Sequence, residues 1–258
     1  MLTEMAKYRD LLTMITWREI RLKYKQSVMG FLWAILMPML ITLAGVAVRL
    51  AYAKASNTPV QLAQVATVAV KALPWAFFIA ALRFSTVSLT ANSNLVTKIY
   101  FPREIFPVSA ILSQLFDFAI AVVCVVGVLF VAQVGISIHL LWVPLLILLL
   151  VLFVTGLGLF LSAANLFFRD VKYLVEVFAT FGIFVTPVFY EASMLGEWKW
   201  AVLLNPVAVI LEALNDCVVL NQAPEGVWLT YCAAVSLALF GGASIAFKRL
   251  EPKFAECI

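Results

Sequence analysis

Arg83 and Asp117 are ionised side chains set within long apolar runs, and they are where chemistry is first legible in this sequence. A charge at membrane depth is costly unless it pairs or faces water, so the expectation is an ion pair or a shared polar lining. Other chemistry is scarce. His139 is the single histidine, and Cys124, Cys217, Cys232 and Cys257 have neither metal-ligand nor redox spacing. The acids Glu191, Glu197, Glu212, Asp216 and Glu225 are spread along the chain without metal-ligand spacing. No Gly-Lys dipeptide occurs, so there is no Walker A loop to cradle a nucleotide's phosphates. Neither catalysis nor ATP hydrolysis is expected of this chain.

The elements that position those charges follow from composition. Of 258 residues, 64% are hydrophobic and 12% charged, and the mean hydropathy is +1.05. A soluble domain has about 45–50% apolar and about 25% charged residues. These figures exclude an ordinary cytosolic enzyme, a nucleic-acid module and a disordered chain. A membrane-crossing helix needs roughly 20 apolar residues. On that measure the sequence predicts an all-α integral membrane protein of one domain, 1–258, with six spans near 28–50, 73–95, 106–132, 141–165, 172–190 and 227–247. At ~1.5 Å per residue, Arg83 lies ~15 Å below the outer edge of the second span and Asp117 ~17 Å above the inner edge of the third.

Residues 191–226 do not fit a crossing. Trp200 to Leu211 is apolar but short, and Asn205–Pro206 interrupts it. A re-entrant helix pair returning to the same face is expected. Orientation follows from the basic residues. Thirteen Lys/Arg fall on segments assigned to the cytoplasm: six within residues 1–25, then Lys98, Arg103, Arg169, Lys172, Lys248, Arg249 and Lys253. Four fall outside, namely Arg49, Lys54, Lys71 and Lys199. Both termini are therefore expected in the cytoplasm, and residues 1–25 lack the apolar core of a cleaved leader. Trp75, Trp142 and Trp198 are expected in the outer aromatic belt.

Residues 4–25 form an amphipathic pattern. Met5, Tyr8, Leu12, Ile15 and Leu22 make an apolar stripe, while Arg18, Arg21 and Lys25 share another face. This predicts an interface helix at the membrane surface, touching lipid headgroups or docking a soluble partner. The run from Trp17 to Pro38 (WREIRLKYKQSVMGFLWAILMP) resembles the opening of type-2 ABC exporter permeases for bacterial surface polysaccharides, with Met29 where Leu is usual. Asn94 to Pro107 (NLVTKIYFPREIFP) and Leu204-Asn205-Pro206 are similar to later segments of that family, in the same order.

The resemblance, most like the O-antigen type, implies a permease exporting a lipid-linked polysaccharide from the cytoplasm across the bacterial inner membrane. It implies no cofactor in this chain, with ATP and Mg on a separate ABC ATPase, two copies of that ATPase, and a homodimer of this chain. Capsular polysaccharide and teichoic acid are alternative cargoes, and a membrane glycosyl or lipid transferase is the alternative of another class. Arg18, Arg21, Lys25, Asn94, Lys98, Phe101, Pro102, Arg103 and Glu104 become candidates for coupling to the ATPase. The Arg169–Lys172 turn recurs in the family, and Asp170 is expected to cap the fifth helix. Sugar C–H faces stack on aromatic rings, which makes Phe181, Phe184, Phe189 and Tyr190 candidate channel residues. Asn205 and Pro206 would break the re-entrant pair at an outer gate.

Overall fold

A computed structural model describes residues 7–25, 32–56, 62–98 and 101–256. Met5, Cys257, residues 26–31 of the opening motif, and Ile99 and Tyr100 lie outside the described residues, as does the side chain of Lys98. The described residues are helical, without strands. In chain order the helices are α1 (Arg9–Lys25), α2 (Leu32–Ser56), α3 (Leu62–Ala91), α4 (Ser93–Lys98), α5 (Ile105–Val131), α6 (Val143–Phe167), α7 (Val171–Val185), α8 (Lys199–Leu203), α9 (Pro206–Val218) and α10 (Gly226–Leu250). Short 3-10 turns occupy Ile138–Trp142, Ala192–Trp198 and Glu251–Glu256. Among the described residues five helices, α2, α3, α5, α6 and α10, are long and apolar enough to cross a membrane.

α3 is the central helix and touches α2, α5, α6, α7 and α9. It begins at Leu62, eleven residues before the expected span, because Lys71 does not end the apolar run. Lys71 is fully buried and paired. α6 buries Leu146, Leu149, Leu150, Phe153, Leu159, Ala163 and Leu166, a stripe at helical spacing. Glycines let it approach its neighbours. A Cβ on Gly156 would meet the Phe240 backbone nitrogen at 2.9 Å, and one on Gly158 would meet Ser85 Oγ of α3 at 2.7 Å. Trp75 is 2% exposed, in the core rather than in a surface belt, with its ring tilted against those of Phe78 and Phe178.

The expected span at 172–190 is a shorter helix. α7 has 15 residues, ~22 Å at helical rise. It stops at Val185 because Thr186 precedes Pro187 and takes extended φ/ψ (−92°, 138°), as the residue before a proline does. Phe189 and Tyr190 therefore lie beyond the helix that carries Phe181 and Phe184.

Two apolar clusters hold the bundle. The larger fills the middle and one end. The smaller gathers Ile15, Leu89, Ile105, Phe106, Leu166, Phe247 and Phe254, with Tyr8, Leu11 and Leu12 against it. It ties α1, the α3–α5 connection, the α6–α7 turn and the chain's last turn to one end of the bundle, here the α1 end. Residues 191–225 belong to the far end.

Candidate functional site

Between α2, α3, α5 and α7 lies a cavity of about 500 Å³. Trp33, Met37, Phe77, Phe118 and Ile183 make it largely apolar, and Lys23, Arg83, Gln114 and Asp117 give it a polar side. Arg83 and Asp117 thus border one space but do not pair with each other, which corrects the ion-pair expectation. Arg83 meets Glu176 of α7 at 2.7 Å. Asp117 is held by the Lys23 ammonium and the Tyr24 hydroxyl. Lys23 also donates to Gln114 Oε1 (3.1 Å) and lies 5.4 Å from the Phe84 ring centre. The reason is the placement of α1, which packs along α5 and brings its last turn to the middle of that helix. It is docked on the bundle. Leu22, expected on the apolar stripe, is exposed. Burial, and then Asp117, push the Tyr24 phenol far above its ordinary range, so it remains a proton donor.

The far end is built around α9, which is mostly buried although it is too short to cross. Asn205 opens it: its Oδ1 accepts from the Val207 N–H (3.1 Å) while its Nδ2 donates to Thr186 Oγ1 (3.1 Å). Pro206 occupies the first turn, where its missing N–H costs nothing. The Asn-Pro pair thus separates α8 from α9 and pins that break to the end of α7. Lys71 reaches across from α3 to Glu212 (2.9 Å) and donates to the Tyr190 carbonyl (3.1 Å). Glu212 also accepts from the Ala192 N–H (2.7 Å). Arg49 approaches Glu191 at 3.3 Å, and Lys199 pairs with Glu225. Asp216 borders a 170 Å³ pocket with Glu191, Glu212 and Glu225. Burial, then Glu212, push its carboxyl up to about 6. Tyr190 is half-buried.

At the α1 end, Arg103 bridges the α3–α5 connection to the last turn. Its backbone N–H donates to Glu251 Oε1 (3.0 Å), its guanidinium donates to the Glu251 carbonyl (2.6 Å), and it lies 6.0 Å from the Phe254 ring. Phe101 packs on Phe106 at 5.4 Å, and Pro102 supplies a carbonyl to the Ile105 N–H (3.3 Å). Glu104 is fully buried at the start of α5, so its carboxylate is not offered at the surface. Arg18 donates to Asn92 Oδ1 (2.6 Å), tying α1 to the end of α3. Arg21 lies over Trp17 (5.5 Å), and Arg21, Lys25 and Asn94 are exposed. Asp170 stands before α7 without a side-chain cap bond; Asn165 Oδ1 accepts from the Lys172 N–H (3.2 Å) instead.

The candidate aromatics separate. Phe181 and Phe184 are exposed on one face of α7 with Leu174, Val177 and Phe178. Phe189 packs against the core near Gly45, and the Tyr190 hydroxyl donates to the Val185 carbonyl (3.0 Å). Sequence reasoning passed over Lys23, Tyr24, Glu176 and the Lys71–Glu212 pair. For Lys71 a signal existed, since residues 68–82 are otherwise continuously apolar. A lone lysine in such a run needs a buried acid.

Known proteins align with the chain from end to end. Two proteins of Klebsiella pneumoniae named O-antigen export system permease protein RfbA are each 28% identical over 255 residues, covering 96% of this chain and 95% of theirs. One of the same name from Myxococcus xanthus is 27% identical over 260 residues, covering 99% and 98%. The profile of the ABC-2 type transporter family matches residues 10–218, a stretch that takes in α2 through α9, all but the first residue of α1, and the central cavity. The chain belongs to the ABC-2 type transporter family.

Proposed function

We propose that this chain is the membrane-spanning permease subunit of an ABC exporter that carries a lipid-linked, O-antigen-like polysaccharide across a bacterial inner membrane, driven by a separate ATPase polypeptide. The observation that carries this reading is the near full-length likeness to O-antigen export system permeases. In this reading the α1 end faces the cytoplasm, with both termini there, in keeping with the excess of Lys/Arg on its segments. α7, extended by residues 186–190, serves as the sixth crossing in number and the fifth in order. Residues 191–226 are a re-entrant gate on the periplasmic side.

Arg18, Arg21, Lys25, Asn94, Lys98 and the Phe101–Arg103 elbow receive the ATPase, which binds ATP and Mg. Because Arg103 is tied to Glu251 and Arg18 to Asn92, a push on the elbow would move α1, α3, α5 and α10 together. One chain encloses too little space for a glycan, so two copies with two ATPases form the pore. The exposed Phe181 and Phe184 would face it and offer rings on which sugars slide. Deleting the gene tests the reading. Lipid-linked glycan is expected to build up on the cytoplasmic leaflet; normal surface glycan without build-up would overturn the assignment.

A further inference from the structure

At the α1 end, α6 and α10 part to leave an apolar groove of about 410 Å³. The helices touch at Gly156 and Phe240. Beyond that crossing the facing side chains are small, Ala163, Ala164, Ala243 and Ala246; Ala163 and Ala243 are buried, and Ala164 and Ala246 stay partly exposed along the groove. Phe160 and Phe168 form its outer edge, 54% and 71% exposed. From Phe160 to Phe168 the groove runs ~12 Å along the helix, the length of a good part of an acyl chain. Lys253 is its charged lining residue. Arg249 and Arg169 each adjoin a lining residue, Leu250 and Phe168. All three cations are exposed and make no ion pair among the described residues. Glu251, the acid nearest Lys253 in sequence, is taken by Arg103.

We propose that this groove binds an anionic phospholipid of the adjacent leaflet, with one acyl chain along the alanine floor and the phosphate against Lys253. Both walls are membrane-crossing helices, so the occupant at this depth must be apolar. Lys253 at one end then selects a negative headgroup. A basic pocket between spanning helices is suited to that task. A soluble protein would meet the very end of the bundle, whereas this groove continues sideways toward Phe160.

The test is native mass spectrometry of the full chain, purified with its ATPase and titrated with phosphatidylglycerol or phosphatidylcholine of identical acyl chains. Phosphatidylglycerol is expected to bind with at least ~fivefold preference, the size of one cation's contribution near a membrane surface. The surface variant Lys253→Gln with Arg249→Gln should bring the two lipids close to parity without changing the fold. Ala246→Phe, which fills the groove, should weaken both. A spin label on Phe168→Cys, in phosphatidylglycerol vesicles without the ATPase, should relax with oxygen more than with a water-soluble nickel chelate. Equal retention of the two lipids, a preference that survives the double charge substitution, or a label facing water until the ATPase is added would overturn the proposal. The last result would assign the groove to the ATPase.

Discussion

Lys71 Nζ lies 2.9 Å from a Glu212 carboxylate oxygen, joining the central helix α3 to the buried helix α9. The lysine is fully buried, and Glu212 also holds the Ala192 N–H. One carboxylate therefore anchors α3, α9 and the turn between α7 and α8. Lys71→Met leaves Glu212 without its counter-ion and is expected to cost about 3–5 kcal/mol, as removing one partner of a buried pair does. Adding Glu212→Leu should recover most of the loss. Thermal unfolding of the single and double variants in detergent measures both, and additive losses would argue against a coupled pair.

Asp117 is the shared acceptor for Lys23 and Tyr24, and those bonds fasten the end of α1 to α5. Asp117→Asn keeps the shape and removes the charge. It should cost about 1.5–3 kcal/mol, the range for charge-assisted bonds. Protease cleavage between residues 18 and 32 should speed up, and unchanged cleavage would mean that apolar packing alone docks α1.

Arg83 and Glu176 are each about half exposed (42% and 55%), so their pairing contributes at most ~1 kcal/mol. Arg83→Leu should leave protein level and thermal stability nearly unchanged. A fall in glycan export in that variant would locate the charge's role in transport. Full export would leave the pair with no part in it.

Asp216 makes stability depend on pH. Its carboxyl is pushed up to about 6, above the unfolded value near 3.9, so the folded state holds the proton more tightly. Its contribution is favourable at low pH and is lost as pH rises from about 4 to about 6. After allowance for partial exposure the loss is about 1 kcal/mol. Asp216→Asn should be more stable than the parent at pH 7 and flatten this part of the pH–stability curve. A curve unchanged by the substitution would place the titration elsewhere.

Glu251 holds Arg103 through both its side chain and its carbonyl. Glu251→Ala removes the bond to the Arg103 N–H while Phe254, fully buried against Phe247 (5.1 Å), keeps the last turn in place. Nucleotide hydrolysis by the assembled transporter should persist while glycan export falls severalfold. Equal loss of both activities would point to failed assembly instead.

Much of the architecture could be read from residue order. Apolar runs bounded by charge lie over α5, α6 and α10, and the run at 28–50 lies over most of α2, because crossing hydrocarbon demands length and apolarity whatever the neighbours are. The Asn205–Pro206 break and the amphipathic pattern of α1 are local signals of the same kind. Charged residues within or beside the runs behaved differently. Lys71 reads as a loop boundary and Arg83 as a partner for Asp117, since a sequence lists charges without their distances. Only the folded bundle decided that Lys71 is neutralised by Glu212, 141 positions later, that Asp117 is answered by α1, and that Arg83 turns to Glu176. Hydropathy is a property each segment carries alone. The cost of a buried charge is removed by whichever opposite charge packing brings within about 4 Å, and that choice is made between segments.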